Sequence, residues 1–282
     1  MGLFKSRENK GAATEKIVAE KIVTLFNERT AVETIELKLT RATGAPRESK
    51  LGGVPYLPGG FPYPLDRREG REHVPLRFLA QLNFGEMPAL EGFPGRGILQ
   101  FYTGDDEQRG MDHETLIAQK GFRVIYHEDP SADAVPPAMP VEESPDGFPF
   151  DGEARIGFEK KTAVMGAGDF RFDALFLQYY NEVTRGAARS LDRVPERVLD
   201  EVYARVSTGG HRVGGYPAFA RLDPREYHDH ARGHTTLLLQ LDPGTTGGDC
   251  IAWRDGGSYH FFARPDDLAA REFIEVLYCW DC

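Results

Sequence analysis

Two stretches of the chain carry the same grouping of residue types: Ser49-Lys50-Leu51-Gly52-Gly53-Val54-Pro55 and His211-Arg212-Val213-Gly214-Gly215-Tyr216-Pro217. Each reads polar, basic, apolar, Gly, Gly, any residue, Pro. Consecutive glycines can turn successive N–H groups toward one point and form an anion nest, to which Lys50 and Arg212 would add full charges. If both loops line one cleft, with Asp255 as a further wall, a small anion or a substrate is the expected ligand. The plainer alternative is that the glycines shape a turn and the cations stay solvated.

Other residues offer weaker chemistry. The run Tyr227-His228-Asp229-His230-Ala231-Arg232-Gly233-His234 gathers three histidines. Imidazoles suit zinc or nickel, so His228, His230 and His234 are the metal candidates. No single helix or strand aims all three inward, however, and a surface cluster is the simpler reading. Cys279-Trp-Asp-Cys282 is a Cys-x-x-Cys that ends an expected strand instead of opening a helix, which disfavours redox use. Asp105-Asp106-Glu107 and Asp266-Asp267 lack the spacing of a calcium loop and read as loop or cap residues. Gln81 and Gln240 interrupt apolar strand runs, where a buried amide must bond backbone or cost roughly 1–3 kcal/mol. The nucleophile elbow, Walker loop, dinucleotide fingerprint and His-Glu-x-x-His are all missing, so no cofactor is expected and catalysis has no motif to rest on.

The elements that must position these residues are legible in part. Ile17, Val18, Ile22, Leu25 and Phe26 recur at helical spacing between Thr14 and Arg29, predicting an amphipathic N-terminal helix. Strands are predicted at 75–83, 97–102, 121–127, 237–242, 257–262 and 273–280. A mid-chain helix is expected over Leu191–Val206, and a short helix start at Pro265. The segment from Pro130 to Pro149 is rich in proline and acid and reads as a solvated connection. Four blocks recur in order about 160 residues apart, which points to an internal duplication. The expected fold is α+β and β-rich: two pseudo-repeated halves of mostly antiparallel sheet, plus the N-terminal and mid-chain helices. A helical arm would occupy residues 1–45. A body of two related halves, about 49–130 and 208–282, would fill 46–282.

At 282 residues, with 40% hydrophobic and 11% aromatic residues, the chain has ample material for a core and too much for disorder. Its net charge of −10 disfavours nucleic acid and anionic membrane as partners. No signal peptide or spanning segment is evident, so a cytoplasmic location is expected. An odd count of three cysteines fits reduced thiols.

Six blocks carry a family pattern: Ser-Lys-x-Gly-Gly-x-Pro-x-Leu-Pro at 49–58, Pro-Leu-x-Phe-Leu-Ala-Gln-Leu-Asn at 75–83, Gly-x-Leu-Gln-Phe at 97–101, Val-Ile-Tyr-His-Glu at 124–128, Gly-Tyr-Pro at 215–217 and Leu-Leu-Leu-Gln-Leu-Asp at 237–242. Together they resemble the YwqG-like family of bacterial proteins, a family of unknown function. The resemblance implies a mixed α and β cytoplasmic bacterial protein and transfers no catalytic residue. Trp253-Arg254-Asp255 and Tyr63-Pro64 depart from the Trp-Gly-Asp and Trp-Pro that the family pattern leads one to expect. Similarity to proteins found near secreted toxin systems implies an immunity or regulatory partner role.

The sequence therefore favours a non-catalytic module that binds another, basic protein by charge steering. An enzyme or small-anion-binding protein using a cleft between the halves is the alternative.

Overall fold

The computed structural model describes residues 2–130, 150, 152–206, 209–242, 253 and 256–281. Ten strands form one sheet in which every neighbouring pair is antiparallel. At its centre β1 (Val32–Arg41) pairs along its full length with β6 (Ala154–Ala163). On one side lie β2 (Lys50–Leu51), β3 (Arg77–Asn83), β4 (Ile98–Thr103) and β5 (Phe122–His127). On the other lie β7 (Arg212–Gly214), β8 (Thr236–Leu241), β9 (Ser258–Ala263) and β10 (Leu277–Asp281).

β1 alternates because one face is core and the other water: Ile35 and Leu37 are buried while Lys38 and Thr40 are exposed. On the solvated face Glu36 and Glu159 stand directly opposite each other, which two like charges would resist. Lys161 bridges both carboxylates and Lys38 pairs with Glu36, so the ladder is neutralised. The sheet curls until β4 and β5 face β9 and β10 across the core. Phe101 meets Phe261 at 4.8 Å and Phe122 meets Tyr278 at 4.9 Å between ring centres.

Both edge strands are covered by one loop, which blocks further strand addition. Leu116 O accepts from Tyr278 N of β10, and Gln119 Oε1 accepts from Val124 N of β5. Gln119 Nε2 donates onward to Phe273 O and Ile274 O, tying the two edges together.

Three helices pack beside the sheet: α1 (Gly2–Arg29), α2 (Phe172–Thr184) and α3 (Glu196–Tyr203). Ala19, Ile22 and Phe26 of α1 bury one stripe against Phe172, Phe176 and Val202, with Phe26 stacked on Phe172 at 4.7 Å. A short α4 (Pro265–Ala270) follows β9, with Asp266 and Asp267 in its first turn.

The segment expected to be a helical arm over 1–45 includes β1, so that part belongs to the middle of the sheet. The segment expected to be an irregular and helical connection likewise supplies the other central strand, β6, and the unanticipated helix α2. The mid-chain helix is present but shorter, α3, preceded by a 3-10 turn at Leu191–Arg193. Among the described residues, no helix is long and apolar enough to cross a membrane.

Candidate functional site

Gly52 and Gly53 have φ of 63° and 70°, and Gly214 and Gly215 have 70° and 71°, so both doublets make the same left-handed turn. A Cβ on Gly52 would lie 2.8 Å from Gly152 O, and one on Gly215 would lie 3.0 Å from Ala163 Cβ. The first turn is therefore packed at the start of β6 and the second at its end. Leu51 pairs with Ala154, the partner of Arg41, whereas Gly214 pairs with Thr34. Seven strand residues separate those positions, roughly 24 Å at about 3.4 Å each. The two basic turns stand at opposite ends of the central strand pair.

Each cation is also occupied locally. Lys50 is buried, and its Nζ donates to Gly44 O at 3.3 Å and Ala45 O at 3.1 Å. Burial lowers its pKa against the opposing pull of Glu153 and Glu48. Arg212 Nη2 donates to Gly209 O, its Nε is buried without a partner, and burial lowers its pKa too. The N–H of Gly52 is spent on Leu79 O. Asp255 lies outside the described residues.

What holds the turns is a pair of polar clamps on the outer face of the sheet. Gln81 Oε1 accepts from Tyr56 N and Gln100 Nε2, and its Nε2 donates to Pro46 O and Glu48 O, so all its bonding capacity is used. Gln240 Oε1 accepts from Ala218 N and its Nε2 donates to Gly210 O. The next strand adds a second polar residue opposite each glutamine: Gln100 on β4 and His260 on β9.

Gln100 Nε2 donates to Tyr56 O, while its Oε1 faces Tyr102 Oη and His127 Nε2. His260 Nε2 meets Ala218 O at 3.1 Å, which makes it the protonated nitrogen, and Phe219 stacks on the ring at 4.1 Å. Its Nδ1 is buried with no partner. Burial pushes both His127 and His260 down to about 4, so each ring is neutral at pH 7.

Sequence reasoning missed the Asp-x-Arg turns. In Asp66-Arg67-Arg68 and Asp223-Pro224-Arg225, as in Asp169-Phe170-Arg171, the carboxylate accepts from both the backbone N–H and the guanidinium of the residue two places on. Arg225 is fully buried between Phe170 and Phe262, with Asp169 as a second carboxylate. Arg68 is one-fifth exposed and reaches Asp106. Arg71 takes Asp105, so the acidic pair Asp105-Asp106 is held by arginines. The readable signal was the recurrence of Asp-x-Arg at nearly the spacing of the Gly-Gly turns.

The histidine run does not converge. His228 and His230 meet ring to ring at 5.4 Å near the surface, while His234 is buried. Among the described residues, no group of three or more His, Cys, Asp or Glu is placed to hold a metal. Cys279 is buried in β10, where burial raises its thiol pKa, and Cys282 lies outside the described residues.

One exposed grouping is arranged differently. Asp173 opens α2, Tyr203 closes α3 and Tyr227 follows the turn at Pro224–Glu226. The Tyr203 ring rests on Phe172 at 5.3 Å and its hydroxyl donates to Asp173 Oδ1 at 2.9 Å. Tyr227 is 60% exposed, and partial desolvation with the charges of Glu226 and Asp173 raises its phenol pKa. Neither Asp173 nor Glu226 has an ion-pair partner among the described residues. Two tyrosines and two exposed carboxylates without an ion-pair partner among the described residues thus lie together.

Fold and surface together define a β-rich antiparallel protein with a three-helix flank. A family model described as Domain of unknown function (DUF1963) matches residues 49–282. The chain belongs to that family. No curated protein matches it.

Proposed function

We propose that the protein is a non-catalytic binding module that captures a basic segment of a partner protein on the face formed by Tyr203, Tyr227, Asp173 and Glu226. The observation that carries this reading is the pairing of exposed tyrosines with carboxylates lacking a cation. Tyrosine anchors an interface at low entropic cost, and carboxylates without an ion-pair partner select a positive one. The net charge of −10 steers such a partner at long range. An immunity or regulatory role, as the YwqG-like resemblance implies, is served by such a face.

Titration with lysine- and arginine-rich peptides tests the reading. Asp173→Asn with Glu226→Gln should weaken binding about tenfold and flatten its salt dependence. Tyr227→Ala should raise the off-rate. Equal affinity of wild type and all variants would rule this face out.

We infer further that the two halves are copies of one unit that have exchanged their first strands. In support, β1 pairs with β7 and β6 with β2, each followed by a four-strand meander. The irregular register at Phe78/Ala80 in β3 has its counterpart at Leu237/Leu239 in β8. The Gly-Gly turns, clamp glutamines and Asp-x-Arg turns recur in the same order. A protein assembled from separately expressed 1–130 and 131–282 fragments should regain the native spectrum only when both are mixed, since each half lacks its neighbour's strand.

A further inference from the structure

The chain contains a second cationic feature, remote in kind from the Gly-Gly turns. Arg123 sits on the edge strand β5, half-buried, and its side chain donates from Nη2 to Leu65 O at 3.3 Å. Arg67 is exposed on the adjoining loop, which is fixed by Arg67 N donating to Lys120 O at 2.9 Å and Asp66 N donating to Val74 O at 2.9 Å. The Arg123 head group therefore lies against the loop backbone two residues before Arg67, and the Arg67 backbone is pinned to Lys120, three residues before Arg123.

The nearest carboxylate cannot serve them. Asp66 accepts from the N, Nε and Nη2 of Arg68 and from Nε of Arg71, which fills both oxygens. Asp105 and Asp106 are engaged by Arg71 and Arg68. Among the described residues, neither Arg67 nor Arg123 forms an ion pair. Burial, and then repulsion from Arg67, pulls the Arg123 guanidinium down to about 10, against the opposing pull of Asp66. A half-buried cation beside a like charge is a costly arrangement that an anion would relieve.

We propose that Arg67 and Arg123 bind a phosphate dianion, free or as a monoester, beside the outer edge of β5. The planar donor fork of Arg123 matches two phosphate oxygens, and Arg67 closes over a third from the solvent side. This site is independent of the tyrosine face and adds a ligand class that the overall charge hides.

Calorimetric titration tests it, with inorganic phosphate and O-phosphoserine run separately against chloride at matched ionic strength. Saturable binding to the wild type is expected, weakened about tenfold or more by Arg123→Gln and by Arg67→Gln and unchanged by Arg96→Gln. The tighter of the two ligands names the source of the phosphate. Arg67 is exposed and makes no side-chain bond among the described residues, so its variant keeps the fold and remains informative if Arg123→Gln does not. No saturation above chloride, or wild-type affinity in Arg67→Gln, would overturn the proposal. Either result leaves peptide capture at Tyr203 and Tyr227 unaffected.

Discussion

In the Asp66–Arg68 turn the guanidinium keeps one-fifth of its surface in water and reaches Asp106, itself partly solvated. In the Asp223–Arg225 turn the same local geometry is closed off completely: Arg225 lies between two aromatic rings, and Asp169 and Asp223 are buried with it. The local hydrogen bonds are alike in the two turns, so the difference lies in the surroundings. Where water is excluded, each charge depends on its partners to offset desolvation. Where water remains, solvent can take over. Burial pushes the Asp169 carboxyl up, but the bond from Arg171 and the charge of Arg225 hold it below the ordinary range.

Neutralising each arginine separates the buried turn from the solvated one. Arg225→Met should destabilise by about 3–5 kcal/mol by stranding Asp223 and weakening the hold on Asp169. Arg68→Met leaves the buried Asp66 held by Arg71 and Asp106 open to water, and should cost less, about 1–2 kcal/mol. Urea midpoints at pH 7 measure both, and equal losses would show that burial is not the deciding variable.

Acid offers the next largest effect. His127 and His260 are held near 4 in the folded state against an ordinary value of 6.5. Above pH 6.5 both states are neutral and nothing is lost. As pH falls through 6.5 the unfolded chain takes up protons that the folded chain refuses. Stability should therefore drop until about pH 4, by up to about 3 kcal/mol for each ring. His260→Gln, which installs the side chain found opposite Gln81, should remove its share of the slope in a pH series of unfolding curves.

Smaller again are the clamp glutamines. Gln81→Leu and Gln240→Leu leave a backbone N–H and carbonyl groups without their partners and should each cost about 1–3 kcal/mol. The loss should be larger for Gln81, which makes four bonds to Gln240's two. Least affected is the solvated ladder: Glu159→Gln should change stability by less than about 0.5 kcal/mol, and added salt should erase the change.

Local signals reported local facts well. The alternation around Gln100 and His260, the helical spacing of Ile22 and Phe26, and the glycine doublets all describe geometry that a few adjacent residues impose. β1 and β6 left weaker traces. Their solvated faces carry Glu36, Lys38, Glu159 and Lys161, so a charged, β-branched stretch after a helix reads as a linker until its partner is known. The Tyr203 face was equally hidden, since it joins residues from three separate elements.

Strand texture, paired turns, the overall negative charge and the absence of familiar catalytic motifs were determined by the sequence alone. The tertiary structure decided where the turns stand. Pairing β1 with β6 over ten residues is a non-local choice, made by hydrogen bonds and by which faces become buried. That choice places Lys50 and Arg212 at opposite ends of the central strand pair, because only the folded sheet sets the distances over which charges act.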